Sequence, residues 1–210
     1  VTTPIPASFL ARIDALLAGD GRRLLGLVGA PGAGKSTLAQ ALLEACAGVA
    51  QIVPMDGYHL ANVELARLGR TGRKGAPDTF DADGYVALLR RLREQRADEI
   101  VYAPEFRREI EEPIAGAIAV LPTTRLVIAE GNYLLMDEGP WAQVSALLDD
   151  SWYVDIDPAL RHQRLVARHM HFGRSADAAA DWVQHTDEPN ARRIEATRSR
   201  ARAVFRWNAE

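Results

Sequence analysis

Apolar positions along this chain follow two patterns. Short, mostly apolar runs occur at 24–28, 51–54, 126–129, 152–156 and 203–205, each bounded by polar or turn-forming residues. Runs of that length and setting read as strands covered on both faces, as in a parallel sheet. Elsewhere apolar residues recur at helical spacing: Leu10, Ile13, Leu16 and Leu17 near the start, and Tyr85, Leu88, Leu89 and Leu92 within 83–94. Helical patterns also cover 37–47, 141–148, 158–171, 176–185 and 190–200. Ser8 stands where an N-cap for the first helix is expected. Strands alternating with helices predict an α/β fold, three layers deep (α/β/α), around a mainly parallel five-stranded sheet. Residues 96–123 break the alternation. Val101-Tyr102 and 114–120, separated by the charged stretch EFRREIEEP, read as a small β excursion.

The turn after the first strand changes the picture from architecture to chemistry. It reads GAPGAGKS, residues 29–36, and fits G-x-x-x-x-G-K-[ST] with a strand before it and a helix after it. The glycines of the loop Gly29, Ala30, Pro31, Gly32, Ala33 and Gly34 let its backbone N–H groups (Pro31 has none) turn inward as an anion nest at a helix N-terminus, continued by Lys35, Ser36 and Thr37. Lys35 then offers a compact cation to the β- and γ-phosphates of ATP, and the Ser36 hydroxyl is placed to ligate Mg²⁺. A planar guanidinium suits that cradle poorly. Lysine there is notable, because only Lys35 and Lys74 among the 25 basic side chains are lysines.

Composition narrows the partners. A length of 210 residues predicts one domain, 1–210, with a substantial core. A net charge of -3 argues against nonspecific nucleic-acid binding. The single cysteine, Cys46, lies in an apolar helical run and reads as a buried hydrophobe, which fits a reducing, cytoplasmic setting. No apolar stretch approaches the roughly 20 residues of a membrane span. Arg12 and Asp14 interrupt the first helix, so it does not read as a signal peptide.

In parallel α/β sheets, functional groups gather beyond the C-terminal strand ends. Asp56, in MDGYH, follows the second strand. It can orient an acceptor hydroxyl and take its proton, or it is a turn aspartate before Gly57. Glu130 follows the third strand of the sheet; it can manage Mg²⁺ or its water, or stand as a solvated strand-end carboxylate. His59 would lie near the acceptor. Arg73 and Lys74, in a glycine-rich loop, suit an anionic acceptor or incoming phosphate, the alternative being a solvated basic loop. Asp78, Thr79 and Asp81 form the expected cap region of the following helix. The five histidines do not make a metal set. The chain carries neither the Asn-Lys-x-Asp motif of GTPases nor the Leu-Ser-Gly-Gly-Gln motif of transport ATPases.

GAPGAGKS, MDGYH, RKGAPDTFD, YAPEF, EGNYLL and a late Arg-rich helix, in that order, resemble the uridine kinase and bacterial pantothenate kinase group. They are more similar still to its nucleoside/nucleotide kinase-like, or fructose transport system kinase, branch. The resemblance runs from about Leu24 to Asn208. It implies the P-loop NTPase fold, acceptor-side loops and excursion at 56–123, and an Arg-bearing lid at about 161–180. By the same resemblance Asp56 is the catalytic base and Glu130 the acid near Mg²⁺ and substrate. Tyr102, Pro104 and Phe106 wall the acceptor pocket, beside Tyr58. Arg164 and Arg168 close over the phosphates, with Arg174 a further candidate. Two features depart from the group: Asp56-Gly57-Tyr58-His59 replaces the Asp-Ser-Phe-Tyr of uridine kinases, and the chain is shorter than pantothenate kinases. HTDEPNARRI, 185–194, has no derived role; Asn190 caps the final helix or approaches the nucleotide.

The expected activity is transfer of the γ-phosphoryl group of ATP, with Mg²⁺, to an alcohol on a small metabolite. A nucleoside, a sugar such as fructose and a pantothenate-like acceptor all fit, in a monomer or homodimer. The rival is a nucleotide-binding regulatory ATPase with no small acceptor.

Overall fold

The structure is a computed structural model that describes residues 4–207; Asn208, where the family resemblance ends, lies outside them. In chain order the elements are α1 (Ala7–Leu17), β1 (Arg23–Val28), α2 (Lys35–Ala45), β2 (Ala50–Pro54), α3 (Asn62–Arg67), α4 (Ala82–Arg93), β3 (Val101–Arg107) and β4 (Glu112–Val120). There follow β5 (Leu126–Gly131), β6 (Asp150–Asp155), α5 (Pro158–His171), α6 (Ala176–Trp182), α7 (Glu188–Glu195) and β7 (Ala203–Arg206). Five strands make one parallel sheet in the order β2-β5-β1-β6-β7. β3 and β4 form a separate antiparallel hairpin.

The sheet is buried on both faces, which is why its strands carry unbroken apolar runs. Leu24 and Val28 face one cluster, with Val53, Tyr85, Leu89 and Trp141. Leu25 and Leu27 face the other, with Leu38, Leu42, Trp152 and Phe205. This period-two division places α2 under one face and α4 under the other. Cys46 is buried in the second cluster. Among the described residues, no helix is long and apolar enough to cross a membrane.

Four local expectations need correction. α1 starts at Ala7 behind Pro6, without a side-chain cap from Ser8. Residues 141–148 form no α-helix; 3₁₀ turns at Gly139–Gln143 and Ser145–Leu147 bury Trp141, Val144 and Leu148 instead. Spacings of three and four residues serve a short 3₁₀ stretch as well as a helix, and Pro140 favours the tight start. For α4, only Asp81 caps, accepting from Gly84 N at 2.8 Å, while Asp78 and Thr79 lie in a preceding 3₁₀ turn. Asn190 caps nothing. A π-turn at Val183–Asp187 joins α6 to α7, so Asn190 sits within a helix and donates to Thr186 O at 3.0 Å.

The hairpin reaches the strand ends by crossing Gly57. A Cβ there would lie 2.2 Å from Pro104 O, so only glycine allows this approach. Pairing slips between Ala103 and Glu105, at Pro104, and the slip reverses which side chains turn inward. Val101 and Ala103 are buried before it; Pro104 and Phe106 are half-buried after it, with Glu105 and Arg107 exposed.

Candidate active site

The loop between β1 and α2 is held by packing that leaves room for little but glycine. Gly32 and Gly34 have φ of 82° and 91°, and a Cβ on Gly29 would stand 2.7 Å from Val154 O. No side chain caps α2, so its first amides remain available to an anion. The Lys35 ammonium donates to Gly29 O (2.9 Å), Ala30 O (3.2 Å) and Asn132 Oδ1 (2.7 Å). Burial pulls its pKa down to about 8, against the opposing pull of Glu130 and Asp56.

Glu130 follows the buried run of β5, beside Leu27 of β1 and Pro54 of β2. Ser36 Oγ donates to its Oε1 at 3.1 Å. Its Oε2 is buried and has no partner among the described residues. Burial raises the pKa of this carboxyl, with Lys35 acting in the other direction. An orphaned carboxylate oxygen beside a hydroxyl is an all-oxygen donor set of the kind a hard divalent cation such as Mg²⁺ takes.

Asp56 lies one turn past β2, in a 3₁₀ turn at Met55–Tyr58. Arg108 Nη2 donates to its Oδ2 at 3.1 Å. His59 Nδ1 is 2.7 Å from Asp56 O, and its ring lies between Phe80 and Phe106, with centroids 4.0 and 4.4 Å away. Burial lowers the His59 pKa, so the ring is neutral near pH 7. With a carbonyl at Nδ1 the proton belongs there, and Nε2 carries the free lone pair.

These groups line one cleft of about 840 Å³, which runs from Trp207 and the glycine loop to Thr71, Lys74 and the hairpin. Arg164, Arg168 and Arg174 line its α5–α6 side. Arg168 forms no ion pair among the described residues, and burial lowers its pKa. Arg174 lies over the Trp182 ring at 3.9 Å. Arg161 is instead buried beneath the loop and paired with Glu188. The 185–194 segment also reaches the cleft: Thr186, Asp187 and Asn190 line it, and Asp187 Oδ2 holds His169 Nε2 at 2.8 Å.

Four residues expected at the acceptor do not line the cleft: Pro104, which lies against Gly57, and Tyr102, Tyr58 and Arg73. Tyr102 points outward from the hairpin and is 55% exposed. Tyr58 packs against Tyr85 in the core, ring centroids 5.4 Å apart. Arg73 turns to Asp78 on the outside of its loop. Lys74 does line the cleft, but its ammonium serves the protein: it takes Asn62 Oδ1 at 2.7 Å and Glu111 O, over the Phe106 ring at 5.2 Å. Pattern reading passed over Asn132, Arg108 and Trp207. Asn132 stood two places after Glu130 in EGNYLL, and Arg108 sat in the charged stretch between the two excursion strands; nothing marked Trp207.

A glycine-loop anion nest with its lysine, and two carboxylates at neighbouring strand ends of a parallel sheet, define a nucleotide-dependent phosphotransferase of the P-loop kinase class. No protein-family model matches the chain. It is 40% identical over 132 residues to the "ATP-dependent kinase-like protein notR'" of Aspergillus versicolor, covering 60% of this chain and 77% of that protein. It is 36% identical over 181 residues to "Putative uridine kinase C227.14" of Schizosaccharomyces pombe, covering 82% and 76%. The crystal structure of a "putative fructose transport system kinase" from Silicibacter sp. TM1040 superposes with a TM-score of 0.86 at 41% identity, over 95% of this chain and 98% of that one. The chain belongs to the uridine kinase-like group of P-loop kinases, and it is an ATP-dependent kinase.

Proposed function

We propose that this kinase transfers the γ-phosphoryl group of ATP to a hydroxyl of a small polar metabolite, with Asp56 as the base. The observation that carries the reading is the convergence of Lys35, Ser36, Asp56, Glu130 and Arg168 on one cleft. Lys35 and the loop amides hold the β- and γ-phosphates. Ser36 and Glu130 hold Mg²⁺, which when bound neutralises charge on the phosphate oxygens. Asp56 orients the acceptor and takes its proton as the acceptor oxygen bonds to the γ-phosphorus and the bridge to ADP breaks. Arg168 and Arg164 place guanidinium donors against the transferring group, and α5–α6 screen it from water.

The cleft continues past Asp56 to Thr71 and the hairpin, which favours an acceptor over a bare ATPase. Its far wall favours a small polar alcohol over a nucleobase. Tyr58 and Tyr102 face elsewhere, and Phe106 is engaged by His59 and Lys74. A phosphoryl-transfer screen of sugars, hydroxy acids and nucleosides tests the reading. Asp56→Asn should lower kcat by about 10²–10⁴-fold while leaving ATP binding in place. Full activity in that variant would remove Asp56 from the mechanism, and nucleotide hydrolysis that no alcohol accelerates would favour the regulatory ATPase.

A further inference from the structure

The hairpin tip is fixed to the acceptor-side loop by a cluster of polar contacts. Asn62 N donates to Glu112 Oε1 (3.0 Å) and Asn62 Nδ2 to Glu111 O (3.1 Å). Lys74 joins the same cluster, taking Asn62 Oδ1 and Glu111 O, and its side chain is only 13% exposed. The polar groups of Lys74 and Asn62 are thus turned toward each other and the tip. Arg108, the first residue of the tip, is not consumed in this way. Of its five N–H donors, the described structure engages one, on Asp56 Oδ2.

We infer that the acceptor carries an anionic group close to the hydroxyl that is phosphorylated, and that Arg108 binds it. This rests on the kinase reading above. Arg108 already touches one oxygen of the base, so its remaining donors meet whatever is bonded a few atoms from a hydroxyl on the other. A neutral alcohol filling the cleft can accept single hydrogen bonds from that guanidinium but brings no counter-charge to it. A carboxylate or phosphate supplies the bidentate partner that a guanidinium fits. The Lys74–Asn62 cluster is the positioning device: it holds the tip, and the tip holds Arg108. Lysine suits the seat because its compact ammonium donates to Asn62 Oδ1 and Glu111 O together, over the Phe106 ring.

Matched alcohols differing in charge test this with MgATP: glycerate against glycerol, pantothenate against panthenol, fructose 6-phosphate against fructose. Expected is a kcat/KM at least about tenfold higher for an anionic member than for its neutral partner, with Arg108→Gln removing most of that preference. Neutral members turned over equally well, or an undiminished preference in Arg108→Gln, would overturn the inference and leave the kinase reading standing. If no pair is turned over, none of these alcohols is the acceptor, and calorimetric binding of the same pairs to protein loaded with MgADP decides the inference. Charge-selective binding lost in Arg108→Gln supports it; equal binding or none overturns it. Lys74→Met should raise the acceptor KM several-fold with the ATP KM unchanged. A loss spread equally over both substrates would mark Lys74 as a general stabiliser and remove its positioning role.

Discussion

Lys35 rests its ammonium on two carbonyls of its own loop and on Asn132, in a setting buried enough to hold its pKa at about 8. A bound polyphosphate adds negative charge beside it and raises that pKa. The complex therefore holds more protons than the free protein near pH 8 and above. ADP affinity should be flat at lower pH and weaken as pH rises through about 8, with proton uptake on binding measurable by calorimetry in buffers of different ionisation heat. A Kd unchanged to two units above that value would remove Lys35 from phosphate binding. The sign for folding follows from the same shift. The charged, buried ammonium costs stability below about pH 8, and the cost is relieved as pH rises toward the ordinary lysine range near 10.5.

At the scale of elements, α5 and the glycine loop are one packed unit. A Cβ on Gly32 would meet Leu165 Cγ at 3.0 Å and Arg161 O at 3.3 Å, so α5 lies directly on the loop. Arg161 is 4% exposed and pairs with Glu188 at the start of α7, while its Nη1 has no partner among the described residues. Glu188→Gln would leave a buried guanidinium without its counter-charge, a loss of about 3–5 kcal/mol. Thermal denaturation should register it as a fall of roughly 10 °C, at about 2–4 °C per kcal/mol for a chain of this size. A change under about 2 °C would mean that the pair is solvated and that α7 does not secure α5. The same scale explains two misreadings. Residues 141–148 bury their apolar side chains through 3₁₀ turns, and spacing alone does not separate those from a helix. Tyr102 and Phe106 share a face in any unbroken strand, but the pairing slip at Pro104 sends them to opposite sides.

Across the whole molecule, the sheet separates two cores and carries the cleft at its C-terminal edge, between the hairpin on one side and α5–α6 on the other. The interior amides of β1 and β5, with their side chains at or near zero exposure, should exchange hydrogen slowest. The hairpin tip near 108–112 and the segment 168–187 should exchange faster. MgADP with an acceptor should slow both, because closure of the cleft needs both flanks. Protection confined to residues 29–37 would limit the ligand-responsive region to the phosphate cradle.

Sequence alone determined what is carried by contiguous residues: the buried parallel strands, the glycine loop with Lys35 and Ser36, and the two acids that follow strand ends. In each case the chemistry and its setting lie within one strand, turn and helix start, so pattern and spacing suffice. Tertiary structure decided what depends on distant segments meeting. Asn132 meets Lys35 across the sheet, Arg108 meets Asp56 over 52 positions, and Lys74 closes on Glu111 over 37. The direction a hairpin side chain takes depends on register and on one slipped pair, and neither is written in the local sequence. That is why the phosphate end of the cleft was legible from the chain, whereas the acceptor end was legible only at Asp56, His59, Lys74 and Phe106.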